Sequence, residues 1–118
     1  MALAGEAPAK KNSRITLPGG RTIPSARHRA WHFDAMAQAA SQLGGRRPER
    51  SSPCRVEMDF WHGDRRRRDS DNGASSVLDL LVDAGVLADD RWEIVQEIRV
   101  RNFYDKGKAR CEVRVLDI

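Results

Sequence analysis

Apolar residues alternate with charged ones over three stretches in the second half of the chain. Residues 54–61 place apolar side chains at every second position with charged side chains between them, which predicts a half-buried strand. The same alternation over residues 94–100 and 111–115 predicts a third and a fourth strand. The sequence Asp-Lys-Gly-Lys at 105–108 favours a hairpin turn between those last two strands.

Two other stretches have apolar residues at helical spacing. Ser25 can cap a first helix that runs to about Leu43. Its predicted apolar face consists of Phe33, Met36, Ala37, Ala40 and Leu43. A second helix is predicted from near Asp71 to Ala84, where Gly85 can end it. Its predicted buried stripe consists of Val77, Leu78, Leu81 and Ala84.

The N-terminal residues complete the predicted fold. Residues 14–18 (RITLP) predict a short first strand that ends at Pro18, and the low-complexity stretch before it predicts a flexible basic tail over residues 1–13. Residues 14–118 then form a single domain with the order β-α-β-α-β-β. This order indicates an α+β fold in which two helices pack on one face of a mixed four-stranded sheet.

Composition narrows the class of protein. The chain has 118 residues, 40% of them hydrophobic, and no apolar run approaches the roughly 18 residues that a membrane span needs. The N-terminus has no apolar segment typical of a secretory signal, so we expect a cytoplasmic protein without a membrane partner. Cys54 and Cys111 fall on inward-facing strand positions and are expected to be reduced core residues.

Charge is distributed unevenly along the chain. The net charge is +4, and residues 1–68 carry 14 basic and 6 acidic side chains, whereas residues 69–118 carry 7 basic and 11 acidic ones. A basic half indicates a polyanionic partner. The acidic half beside it indicates that the carboxylates have a separate task.

The two halves meet in the segment 64–72, with the sequence DRRRRDSDN. Four arginines are concentrated in its first part: Arg65, Arg66, Arg67 and Arg68. They lie directly before a predicted helix N-terminus, and both features favour phosphate. Asp69 and Asp71 follow at a spacing of two, which in an extended or turn segment directs both carboxylates to one side. Such a pair can share Mg²⁺, and either residue could also cap the helix.

A third carboxylate must come from elsewhere in the chain. The second helix carries the chain roughly 20 Å away at ~1.5 Å per residue, and residues 85–90, if extended, can return about 20 Å at ~3.3 Å per residue. Asp89 or Asp90 can therefore reach the level of Asp69 and Asp71. Carboxylates that hold a metal beside arginines suit phosphodiester hydrolysis, because the metal activates water and the arginines neutralise the DNA backbone.

These features together carry a family resemblance. The segment 64–72, the helix after it, the sequence AGVL at 84–87 and the pair Asp89-Asp90 resemble the RusA family of Holliday-junction resolvases. The similarity continues without a gap to the C-terminus, and it is looser between residue 14 and residue 64.

The resemblance implies a function as well as a fold. Members of the family are homodimeric, Mg²⁺-dependent endonucleases of DNA recombination and repair that cut four-way junctions symmetrically, and phages or prophages often encode them. By position, Asp69, Asp71 and Asp90 are the catalytic and metal-binding carboxylates. The resemblance also implies branched DNA as the partner, no small-molecule organic cofactor, and a bacterial or phage-infected cytoplasm as the location.

The chain departs from the family pattern at two places. Ser75 stands where the family has a functionally important lysine on the second helix, and only residues 18–24 connect the first strand to the first helix. A second hypothesis is therefore a catalytically weak or inactive relative that binds branched DNA without cutting it. A third is a basic phage protein whose partner is RNA or another protein.

Two further groups of side chains have less specific interpretations. His28 and His32 have a helical spacing that can bind Zn²⁺, but no third ligand has a suitable spacing, so surface or DNA-facing histidines are favoured. Packing in the core or a dimer interface is the simpler interpretation of the three tryptophans, with stacking on unpaired bases as the alternative. They are Trp31, Trp61 and Trp92.

Overall fold

The computed structural model describes residues 1–9 and 14–118, which form two helices and six strands. In chain order these are β1 (Ala2–Ala4), β2 (Arg14–Thr16), β3 (Thr22–Pro24), α1 (Ala26–Leu43), β4 (Cys54–His62), α2 (Ala74–Asp83), β5 (Val95–Tyr104) and β6 (Arg110–Asp117). Four strands form a sheet in the order β1-β6-β4-β5, with β4 parallel to β5 and antiparallel to β6. Residues 105–108 form a turn, but the predicted hairpin is wrong, because β4 lies between the two strands that this turn connects. The sheet strands and helices follow the order β-α-β-α-β-β, so the predicted α+β fold with a mixed four-stranded sheet is confirmed.

The first strand of this sheet is not the predicted one. Strand β2 pairs with β3 in a separate hairpin, whereas β1 occupies the sheet edge beside β6. Leu3 in β1 is fully buried, and Ala7 and Pro8 after it are buried too. The prediction of a flexible tail is therefore wrong for residues 1–9, while residues 10–13 lie outside the part of the chain that the structure describes.

Small residues let the N-terminal segment pack closely against the rest of the fold. The backbone N–H of Ala4 donates to Oε1 of Gln38 in α1 at 2.7 Å. Just before α2, a Cβ on Gly73 would lie only 2.8 Å from the Cβ of Ala7, so the two backbones meet where a side chain has no room. A composition rich in alanine and glycine favours a flexible chain in isolation, yet it also permits this close approach.

Helix α1 starts and ends where predicted but buries a different face. Ser25 caps it by accepting a hydrogen bond from the backbone N–H of His28 at 3.2 Å, and Gly44 follows with a left-handed φ of 60°. The buried side chains are Trp31, Ala35 and Ala39. Phe33 from the predicted face is instead 76% exposed. The alanines allow the helix to lie close to the sheet, which turns the large phenylalanine outward.

The core lies between the two helices and one face of the sheet. Strand β4 contributes the predicted side chains Cys54, Val56, Met58 and Phe60. Helix α2 contributes mainly Val77, Leu80 and Leu81. Cys54 and Cys111 are free thiols with no exposed surface, which confirms their predicted place in the core. Neither of the helices in the described ranges is both long and apolar enough to cross a membrane.

The opposite face of the sheet carries a network of ion pairs. Glu57 and Asp59 of β4 are only 8% and 4% exposed, because arginines from the neighbouring strands cover them. Asp59 accepts hydrogen bonds from Nε of Arg101 at 2.8 Å and from Nη2 of Arg114 at 2.9 Å. The bond from Arg101 is the main cause that lowers the pKa of Asp59 to about 2, against the opposing effect of burial.

Candidate active site

The chain leaves β4 at His62 and forms a loop over residues 63–68, named here the arginine loop. Asp64 organises this loop, because its Oδ1 accepts a hydrogen bond from the backbone N–H of Arg66 at 3.0 Å and lies 2.9 Å from Nη2 of Arg68. The backbone bond is the first cause, and Arg68 the next, that hold the pKa of the Asp64 carboxyl below its usual value. The loop is thus folded around its own acidic residue.

The four arginines of the loop differ in their exposure to solvent. Arg65, Arg66 and Arg67 are exposed. The side chain of Arg68 is only 13% exposed, and its Nη2 lies 3.2 Å from Oε1 of Glu6. Arg68 therefore anchors the loop to the N-terminal segment, and the other three guanidinium groups remain accessible to a ligand.

A hydrogen-bonded chain joins this loop to the end of β5. Both ring nitrogens of His62 face acceptor oxygens, with Nδ1 at 2.9 Å from Glu6 Oε2 and Nε2 at 2.8 Å from Asn102 Oδ1. The amide of Asn102 is oriented by its Nδ2, which donates to the carbonyl of Ser70 at 2.9 Å.

The arginine loop opens into a cleft of about 320 Å³, named here the arginine cleft. The lining residues of this cleft include Arg65, Arg66, Arg68, Asp69, Phe103 and Tyr104. A predicted catalytic carboxylate and three of the predicted phosphate-binding arginines therefore share one surface. The two aromatic side chains on it were not part of the predicted site.

Asp69 and Asp71 lie in the turn between the arginine loop and α2, and both residues are exposed. The backbone N–H of Asn72 donates to the carbonyl of Asp69 at 3.1 Å, and that of Ala74 donates to the carbonyl of Asp71 at 3.0 Å. Helix α2 starts at Ala74, three residues later than predicted, and its cap is Gly73, with no side-chain hydrogen bond. The N-cap residue of α2 is therefore Gly73 and neither of the two aspartates.

Asp90 lies elsewhere, in a cleft of about 1080 Å³ that residues of both helices line, named here the interhelix cleft. The other acidic and histidine side chains of this cleft are His28, His32, Asp79, Asp83 and Asp89. Nε2 of His32 pairs with Oδ2 of Asp83 at 3.0 Å. Asp69 and Asp90 thus line different clefts, and neither lining includes Asp71.

Sequence reasoning noted the spacing of His28 and His32 but missed what they face. The available signal was the equal spacing of Asp79 and Asp83, which places two carboxylates on one face of the second helix. Their juxtaposition with the histidines depends on how the two helices pack, and periodicity within one helix does not show that.

The donor chemistry of the Asp69–Asp71 pair fits Mg²⁺. Among residues 1–9 and 14–118, no group of three or more His, Cys, Asp or Glu side chains could hold a metal ion. Mg²⁺, however, is usually bound by one or two carboxylates together with waters and substrate phosphates. Two exposed carboxylates beside arginines that attract phosphate meet that requirement.

Ser75, at the position of the family lysine, is exposed on the first turn of α2. Its neighbour Ser76 is fully buried, and its Oγ donates a hydrogen bond of 2.6 Å to the carbonyl of Pro8. The two adjacent serines therefore have different roles. Ser76 holds the N-terminal segment, whereas position 75 has space for a longer side chain.

Comparison with known proteins gives one family. The family model described as Endodeoxyribonuclease RusA matches residues 5–116, which is nearly the whole chain. No curated protein matches the sequence significantly. The matched range includes the arginine loop, both clefts and the first residues after β1.

Proposed function

Since the chain belongs to the RusA family of endodeoxyribonucleases, which act on branched DNA junctions, we propose that it is a Mg²⁺-dependent nuclease that resolves four-way junctions. The observation that carries the proposal is the arginine cleft, where Asp69 lies among guanidinium groups at the entrance to α2. This arrangement combines attraction for a DNA phosphate with donors for a hard cation. The products are paired nicks made by phosphodiester hydrolysis.

In this proposal the residues of the arginine loop and of the turn after it have separate roles. Arg65, Arg66 and Arg67 bind phosphates beside the scissile bond, and Arg68 contributes from its anchored position on the cleft wall. Asp69 and Asp71 would hold Mg²⁺ near the scissile phosphate. The metal would supply activation of water and charge stabilisation for phosphodiester hydrolysis.

We include Asp90 in the catalytic set because it matches the family motif. Since Asp90 lies in the interhelix cleft, its role is tested with a variant of its own.

Substitution by asparagine keeps the size of an aspartate side chain and removes its charge. We therefore expect Asp69→Asn and Asp71→Asn to reduce junction cleavage by at least about 100-fold in rate, the size of other large electrostatic losses, with DNA binding retained.

The assay uses a mobile four-way junction with Mg²⁺, and chelation of the metal by EDTA should abolish cleavage by the wild-type protein. Asp34→Asn is the matched control, because Asp34 is an exposed acid of α1 that lines neither cleft. Asp90→Asn is measured in parallel. Full activity of that variant would remove Asp90 from the catalytic set, and full activity of Asp69→Asn and Asp71→Asn would refute the proposed metal site.

We also propose that the active form is a homodimer, since paired nicks on opposite strands require two active sites. An accessible edge of the sheet supports this, because β5 is an edge strand and Ile98 on it is 46% exposed. Light scattering should give twice the mass of the 13.3 kDa chain. A monomeric mass at the concentrations that support cleavage would refute it.

A second candidate function is a relative that binds junctions without cutting them. Ser75 favours this function, because the first turn of α2 then lacks the cation that would face the phosphate. The exposed position makes Ser75→Lys compatible with the fold. If the wild type binds the junction but does not cleave it and Ser75→Lys creates cleavage, the natural protein is a binder. Cleavage by the wild type refutes the second function.

A further inference from the structure

Two aromatic side chains at the end of β5 are unusually accessible. Phe103 is 40% exposed and Tyr104 is 42% exposed, although an aromatic ring is normally covered by other parts of a protein. They are consecutive residues of β5, so their side chains leave the strand on opposite sides, and both line the arginine cleft at the end of the strand. We refer to this pair as the aromatic wall.

Phe103 is positioned by contacts with neighbouring side chains. Its ring stacks on Trp61 of β4, with ring centroids 5.1 Å apart and an angle of 21° between the planes. The guanidinium of Arg110 covers Trp61 at 4.5 Å from its ring centroid. The guanidinium carbon of Arg101 also lies 5.6 Å from the centroid of the Phe103 ring. Phe103 is therefore the outer ring of a stack on the sheet face, and its exposed surface can contact a further planar group.

Tyr104 connects the aromatic wall to the arginine loop. The guanidinium carbon of Arg65 lies 4.1 Å from the centroid of its ring, within the range of a cation–π contact. A guanidinium that lies on an aromatic ring forms a flat, positively charged surface. The same arginine can therefore contact a phosphate while the ring beside it contacts a base.

We propose that the aromatic wall binds an unstacked nucleobase of branched DNA whose adjoining phosphates lie on the arginine loop. This inference rests on the proposed function and adds a means by which the protein recognises branched rather than fully paired DNA. Aromatic rings next to cations are the usual platform for bases outside a duplex, since every base has a π-face. In a continuous duplex the bases are stacked on one another and are not available to the wall.

The test compares a duplex that carries a three-nucleotide bulge with a fully paired duplex of the same sequence, and a four-way junction serves as a third ligand. Dissociation constants come from fluorescence anisotropy, and 2-aminopurine in the bulge reports stacking through quenching of its fluorescence. The wild type should bind the bulged duplex and the junction more tightly than the paired duplex, with quenching of 2-aminopurine.

Phe103→Leu and Tyr104→Leu keep apolar volume but remove the ring. Each should weaken binding of the bulged duplex and the junction by about 5- to 150-fold, the range for a lost base–aromatic stack, and should relieve the quenching. Affinity for the paired duplex should remain unchanged. Phe103→Tyr and Tyr104→Phe should behave like the wild type. Trp92→Leu is the control, because Trp92 is 74% exposed and lines neither cleft.

The possible negative results of this binding test lead to different conclusions. If the leucine variants weaken paired and bulged DNA equally, or leave quenching intact, the aromatic wall is not a base-binding surface while the proposed nuclease function stands. If the wild type binds none of the three DNA ligands, the proposed function fails and this inference with it. Thermal unfolding of each variant shows whether the fold is retained, and Tyr104→Leu alone decides the question should Phe103→Leu not fold.

Discussion

Asp59 is a buried carboxylate whose energetic role follows from its partners. Arg101 and Arg114 donate three hydrogen bonds to it between 2.8 and 2.9 Å. The guanidinium groups of both arginines are partly exposed, so water can replace part of the hydrogen bonding that they lose when the carboxylate is removed. We therefore expect Asp59→Asn to lower the free energy of unfolding at pH 7 by about 1–3 kcal/mol, the range for hydrogen bonds to charged groups.

The same pair of arginines makes this contribution depend on pH. Because the pKa of Asp59 falls from an ordinary value of 3.8 to about 2 on folding, its stabilisation is fully present above pH 4 and is lost as the pH falls toward 2. Urea unfolding at pH 7, 4 and 2.5 should show the difference between wild type and Asp59→Asn shrinking over that interval. A difference that stays constant down to pH 2.5 would contradict this account.

At the scale of elements, β1 is the part of the fold that depends most on contacts far away in sequence. Leu3 is fully buried, and its backbone pairs with Cys111 across the sheet edge. Leu3→Ala should lower the free energy of unfolding by about 2–5 kcal/mol, as at other core leucines. Ala2→Ser, at the exposed neighbouring position, is the control. A flexible tail would make both substitutions neutral in thermal or urea unfolding.

The elements that the sequence predicted well are those with a local cause. Alternation over residues 54–61 and the Ser25 cap both act within a few residues of the element they define, and both predictions are confirmed. Strand β1 has only three residues and is stabilised by pairing with a strand more than 100 residues later. Its sequence, Ala-Leu-Ala, carries no alternation that could have revealed it.

The path of the chain before Asp90 also depends on a long-range contact. The estimate of its reach considered only α2 and the residues after it. In the structure, the segment after α2 pairs with Arg50 through a bridge at Leu87, and the backbone N–H of Ala88 donates to the carbonyl of Arg50 at 2.9 Å. Asp90, two residues later, lines the interhelix cleft. The arginine loop, a contiguous segment, could be predicted from sequence alone.

At the scale of the whole molecule, the uneven charge along the chain becomes a division between two surfaces. Arginines of the C-terminal half are paired with carboxylates, as Arg101 and Arg114 are with Asp59. The exposed guanidinium groups of the arginine loop lie beyond this paired face, so DNA attraction should depend mainly on them. The net charge of +4 therefore understates the local positive field at the arginine cleft.

The dependence of DNA affinity on salt tests this division. Each phosphate contact with duplex DNA contributes about 0.9 to the slope of log K against log salt concentration. Arg66→Ala and Arg67→Ala should each reduce that slope by about 1. Both should weaken duplex and junction binding to the same extent, because loss of a phosphate contact does not depend on DNA structure.

Arg46→Ala is the control for this prediction. It removes an exposed arginine beyond the end of α1 and should leave the slope unchanged. Anisotropy titrations between about 50 and 300 mM salt measure the slope, because DNA affinity that depends on phosphate contacts falls steeply over this range. If all three variants have the slope of the wild type, the positive surface that contacts DNA lies elsewhere. If Arg66→Ala and Arg67→Ala lose affinity only for the junction, these arginines recognise branch structure.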